Sequence, residues 1–137
     1  MPKMIFLNLP VKDIAASTRF YEAIGCRKNE EFSDANSASM IWSDTITFQL
    51  LAVDYFKTFT TKPLANSRET VGMLIALSRD SREEVDAIAE AAASAGGEAD
   101  PREPQDMGFM YLRSFEDPDG HVFEAAWMDM SGAGASE

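Results

Sequence analysis

Glu124 is the residue in this chain that most invites chemistry. It lies in Val122-Phe123-Glu124-Ala125-Ala126-Trp127, where strand alternation puts Val122, Glu124 and Ala126 on one face and Phe123, Ala125 and Trp127 on the other. A carboxylate alone on an inward strand face is costly, because desolvation disfavours its charged form. One resolution is catalytic: Glu124 acts as general base on a proton next to a carbonyl, with Arg113 and Gln49 available to stabilise the enediolate. The other is an ion pair. If Glu116 faces His121 across the turn, Arg113 faces Glu124 and its guanidinium neutralises it. A bulge at Gly120 would break that register.

The other reactive side chains are few. His121, the single histidine, follows Gly120 directly and reads as a solvent-facing turn residue. Cys26, the single cysteine, excludes an internal disulfide and multi-cysteine metal sites. It reads as a small apolar filler after a helix.

The elements that must position these groups follow from turn and cap chemistry. Asp117-Pro118-Asp119-Gly120 is a strong turn, so Phe109–Glu116 and His121–Met128 form a hairpin. Upstream, Ile5–Leu9 is a strand that Pro10 should end, since proline has no N–H for the ladder. Asp13 caps a helix with Ala16, Phe20 and Ile24 on one face, and Gly25 stops it. A short strand fits near Arg27–Phe32. Ser39–Trp42 and Ile46–Val53 make a hairpin around Ser43-Asp44-Thr45. Residues 54–70 break the pattern and connect two halves, with room for one helical turn. Val71–Leu77 is again a strand. Ser81 and Glu84 form a capping box for a helix with Val85, Ile88, Ala92 and Ala95 inward, stopped by Gly96-Gly97.

The order of elements therefore repeats. The fold class is α+β: two tandem β-α-β-β-β modules forming a curved mixed sheet around a shared cleft. Residues 1–130 make a single domain, with module one at about 4–53 and module two at about 71–129. Residues 131–137 are a tail that frays. Phe6, Asn8, Gln49, Met73, Ile75 and Glu124 are expected to line the hollow.

Composition bounds the partners. The 137 residues carry a formal net charge of −11 and are 45% hydrophobic. Residues 1–70 hold eight basic and eight acidic side chains, against four and fifteen in 71–137. That balance argues against nucleic acid and anionic membrane surfaces. No apolar run approaches ~18 residues, and the start lacks a signal-peptide pattern, so the expected location is cytoplasmic.

The segments NLPVKDIAASTRFYEAIG and FEDPDGHVFEAAW resemble the vicinal oxygen chelate superfamily, which includes glyoxalase I, the bleomycin-resistance proteins and extradiol dioxygenases. The resemblance covers roughly residues 4 to 129. SREEVDAIAEAAASAGG and PQDMGFMYLRSFEDPDGH are similar to the glyoxalase-like proteins called predicted lactoylglutathione lyases. In metal-dependent members, four strands each supply a His, Glu or Gln ligand. The resemblance puts those positions at Phe6, Gln49, Met73 and Glu124. Phe6 cannot ligate and Met73 is a soft donor, whereas such sites need about three good ligands. No cofactor is therefore expected, a divalent metal being the minority reading.

The leading expectation is a protein that binds a small, partly apolar molecule. Phe6, Trp42 and Met73 would give apolar surface, and Asn8, Gln49, Arg113 and Glu124 polarity. The alternatives are a glyoxalase-like lyase or isomerase using Glu124, with dioxygenase chemistry less favoured, and a non-catalytic dimeric sequestering protein. The resemblance also implies a homodimer.

Overall fold

The computed structural model describes residues 2–131; the expected tail, residues 131–137, lies outside them apart from Ser131. Strand β1 (Ile5–Val11) is followed by helix α1 (Ile14–Ala23) and strands β2 (Arg27–Asn29), β3 (Ser37–Ser43) and β4 (Ile46–Ala52). A short helix α2 (Val53–Phe56) runs into a 3₁₀ turn at Lys57–Phe59. Module two contains β5 (Leu74–Ser78), α3 (Arg82–Ser94), β6 (Glu98–Ala99), β7 (Gln105–Asp106), β8 (Met110–Glu116) and β9 (Val122–Met128). The sheets run β1-β4-β3-β2 and β5-β9-β8-β6, with β7 also on β8. In each, the first strand lies parallel to the last and the other pairings are antiparallel. This shared strand order is the repeat expected from the sequence.

The helix caps form as expected, with one difference. The Asp13 carboxylate accepts from the Ala16 N–H, and the Ser81 hydroxyl accepts from the Glu84 N–H. The return bond from Glu84 goes to the Asp80 N–H and to Arg79 rather than to Ser81. Gly25 and Gly96, both with positive φ, end the two long helices.

Several strand boundaries differ from expectation, two of them at residues that bear on the site. Strand β1 continues through Pro10 to Val11, because it is an edge strand, where a missing N–H is tolerated. Strand β5 starts at Leu74 rather than Val71, so Met73 lies outside it.

One core serves both modules. Phe20 and Tyr21 from α1, Phe48 from β4, Phe115 from β8 and Phe123 from β9 are all fully buried. Phe115 and Phe123 are cross-strand partners, stacked with centroids 5.2 Å apart. Phe123 meets Phe48 at 5.6 Å and Tyr21 at 6.0 Å, edge to face. Each such contact contributes about 0.5–1.5 kcal/mol beyond area burial. The modules are thus joined on their helix-covered faces. Cys26 is buried in this core, and burial pushes its thiol up to about 12, which suits a filler and not a nucleophile.

The last hairpin has a register one residue away from the expected one. Asp117 N–H donates to the His121 carbonyl and Gly120 N–H to the Asp117 carbonyl. Gly120 adopts φ 92°, with the Ser67 backbone close on its open side, a position that favours glycine. His121 therefore belongs to a five-residue loop. Glu116 pairs with Val122, Arg113 with Ala125 and Ser114 with Glu124.

Candidate functional site

The faces turned away from the core carry the candidate site. In module one the register sets Phe6 beside Thr47 and Asn8 beside Gln49. On the other side of β4, Ser39 lies opposite Gln49 and Ile41 opposite Thr47. Alternation places all six side chains on one surface. Phe6, Ser39, Ile41, Thr47 and Gln49 line a hollow of about 620 Å³, with Phe32 and Tyr55 at its margins. The side-chain oxygens of Ser39 and Thr47 and the amide of Gln49 have no hydrogen-bond partner among the described residues. Ser39 and Thr47 are nearly buried and Gln49 is half-buried, so the Gln49 amide is the group most open to a ligand.

In module two the corresponding surface is made of Leu74, Ala76, Ser114, Val122, Glu124 and Ala126. Glu124 is 22% exposed, and Arg102 Nη1 lies 3.7 Å from its Oε2. Arg102 is in the Pro101–Pro104 loop and is 63% exposed. That pair is weakly held, so the carboxylate keeps access to solvent.

Arg113 does not neutralise Glu124. Opposite Ala125, it points to the helix side. Its Nε and Nη2 donate to Asp100 at 3.1 and 2.7 Å, and its Nη1 to Asp86 and Glu90 at 3.0 Å each. These hydrogen bonds, that to Asp100 first, hold the guanidinium pKa above its usual range. Arg113 clamps α3 to β8 and is removed from the hollow. Trp42 also lies on the core side, packed against Gly25 with the Arg79 guanidinium 5.4 Å from its ring centroid. Ile75 pairs with Phe123 and packs against the core, not on the face of Glu124.

His121 is not a free turn residue. Its Nε2 lies 2.9 Å from the Pro10 carbonyl oxygen, which ties the β8–β9 turn to β1. The same turn holds α1: Asp119 accepts from Lys12 N–H and the Ser17 hydroxyl, and Asp117 from the Tyr21 hydroxyl. Beside these contacts is a second hollow, of about 530 Å³, lined by residues of the connection and by Asn8 and Met73 among others. The sequence-expected residues are thus divided. Phe6 and Gln49 share the first hollow, Asn8, Met73 and Ile75 the second, and Glu124 lies outside both.

The contribution of Thr47 was legible from its alternation with Gln49. That of Ser39 and Ile41 follows once β3 is set against β4. Arg102 gives no sequence signal, because it reaches Glu124 from a loop.

The residues present do not fit a divalent ion. On β5 the inward positions are Leu74 and Ala76, with Ala76 directly beside Glu124, and neither can ligate. Phe6 is the inward residue on β1 next to Thr47. Glu124 is left with Gln49 or Asn8, amide oxygens on another sheet. Among the described residues no group of three or more His, Cys, Asp or Glu side chains gathers.

Two β-α-β-β-β modules with helices on one side and open sheet faces on the other define a vicinal oxygen chelate fold. The chain belongs to the Glyoxalase/Bleomycin resistance protein/Dioxygenase superfamily, whose sequence profile matches residues 3–125. A hypothetical protein from S. aureus is 27% identical, with a TM-score of 0.77 over 93% of this chain and 94% of that one. A glyoxalase-related enzyme from Fulvimarina pelagi is 22% identical, with a TM-score of 0.77 over 93% and 88%. The fosfomycin resistance protein FosX from Mesorhizobium loti is 17% identical, with a TM-score of 0.68 over 97% and 98%. The last two share the fold alone. No curated protein matches the sequence. No helix among the described residues is long and apolar enough to cross a membrane.

Proposed function

We propose that this protein binds a small, partly apolar molecule in the hollow of module one, without a metal ion. One observation carries the reading: the side chains of Ser39, Thr47 and Gln49, with no hydrogen-bond partner among the described residues, share a concave face with Phe6 and Ile41. A concave, mostly apolar surface with a few convergent polar groups is the usual form of a small-molecule site. The amide of Gln49 offers both a donor and an acceptor, and the hydroxyls add adaptable partners. Phe6, 57% exposed in the isolated chain, gives a flat surface for a ring or alkyl group.

A thermal-shift screen of small molecules tests this. Binding to the folded state alone raises the midpoint by mass action. Compounds that stabilise the wild type should lose that effect in Ile41→Trp, which fills the hollow. Equal stabilisation of wild type and Ile41→Trp would place the ligand elsewhere.

We also infer a homodimer. Ile5, Phe6, Met73 and Leu74, on or next to the edge strands β1 and β5, are each more than half exposed, and such surface suits a protein partner. Sedimentation at micromolar concentration should give twice the monomer mass. A monomer would remove this part of the reading.

A further inference from the structure

We propose that the hollow lined by the connection is a second ligand site, selective for an apolar molecule bearing one carboxylate. Its wall joins the two modules. Asn8, Leu9 and Pro10 come from β1, Ile75 from β5, and Gly120, His121 and Val122 from the β8–β9 turn. Phe56 and residues between it and β5, among them Pro63, Leu64 and Val71, complete the lining. At about 530 Å³ it lies within the range of small-molecule sites.

Charge sets the ligand class. The chain has 23 acidic residues among 137, yet no Asp or Glu is among the residues lining this hollow. Its one formally cationic residue is Lys62, whose ammonium has no ion pair or hydrogen bond among the described residues. The acids near His121 in sequence are otherwise engaged: Asp117 by Tyr21, Asp119 by Lys12 N–H and Ser17, and Glu124 by Arg102. The Asn8 amide, also without a partner among the described residues, adds a donor on the β1 side. An apolar interior with an unpaired ammonium and an amide donor favours an anion with an apolar body. A neutral analogue leaves Lys62 unused, and a cationic one faces repulsion from it.

The site differs from the module-one hollow in position and in sign. The first is lined by Arg27 and Asp44, with opposite charges, and by Gln49. Neither Phe6 nor Gln49 lines the second.

Octanoate, octanol and octylamine, matched in chain length, are the probes. Titrations followed by backbone amide NMR should show octanoate shifting Asn8, Leu64, Val71 and Gly120, while Ser39, Thr47 and Gln49 stay still. Octanoate should bind at least tenfold more tightly than octanol, with octylamine weakest. Lys62→Glu, a substitution of an exposed residue, should weaken octanoate at least tenfold and leave octanol within about twofold. Val71→Trp should abolish binding of both. Equal affinity for the three probes, shifts confined to the module-one hollow, or no binding of octanoate at millimolar concentration would each overturn the proposal.

Discussion

The Tyr21 hydroxyl donates a 2.7 Å hydrogen bond to the Asp117 carboxylate, 96 positions further along the chain. Tyr21 is on α1 of module one and Asp117 opens the turn of module two. Both are buried. The same carboxylate accepts from the N–H groups of Asp119 and His121. One side chain therefore shapes the turn and fastens it to the other module. Burial and the adjacent Asp117 hold the Tyr21 phenol well above its ordinary pKa, so it remains a donor at any working pH.

Tyr21→Phe removes that donor and leaves a buried carboxylate short of one bond. The expected loss is about 1–3 kcal/mol. Urea unfolding should show a lower midpoint with an unchanged m value. An unchanged midpoint would mean that the turn holds without the Tyr21 bond.

Acid titration should separate two carboxylates of opposite sign. Burial raises the Asp117 pKa, so the folded state binds its proton more readily than the unfolded chain. Its contribution falls as pH rises from the ordinary value, about 4, through the raised one, and is flat above. Asp106 is the reverse: the Arg82 hydrogen bonds lower it to about 2. Its contribution is present above about pH 4 and is lost as pH falls toward about 2. In urea midpoints measured against pH, Asp117→Asn should remove the decline above pH 4. Asp106→Asn should remove part of the decline below it.

Arg113→Met should destabilise the protein without touching ligand binding. The variant leaves Asp86, Glu90 and Asp100 without their shared guanidinium. The expected loss is on the order of 1–3 kcal/mol. Affinity of any ligand found in either hollow should stay within about twofold of wild type. A large loss of affinity in a folded Arg113→Met protein would contradict its role as a clamp.

Gly97 is fixed by close approach. A Cβ there would lie 2.2 Å from the Glu116 carbonyl oxygen and 2.6 Å from Phe20. Gly97→Ala should cost about 1–3 kcal/mol, read as a lower thermal midpoint. Gly72→Ala, with nothing within 4 Å of its Cβ, should leave the midpoint nearly unchanged.

The element order was legible because turns and caps are local chemistry. Asp13, Ser81, Gly25, Gly96 and the Asp117–Gly120 turn announce themselves in a few residues each. The register of the last hairpin was not, since it depends on whether His121 joins the loop. One added residue sends Arg113 to the opposite face. The division of Phe6 and Gln49 from Asn8 and Met73 was equally hidden, because α2 and the connection settle over the sheet through tertiary contacts. Alternation found the open face of β4, whereas nothing in the sequence pairs Arg102 with Glu124.

Metal-free binding in the module-one hollow underlies the proposed function. Isothermal titration of the best screening hit, with protein and buffer containing excess EDTA, tests it most directly. Affinity should be unchanged in EDTA, fall tenfold or more in Gln49→Leu, and stay the same in Glu124→Gln. Binding that requires an added divalent ion, or that survives Gln49→Leu and disappears in Glu124→Gln, would contradict the proposed function.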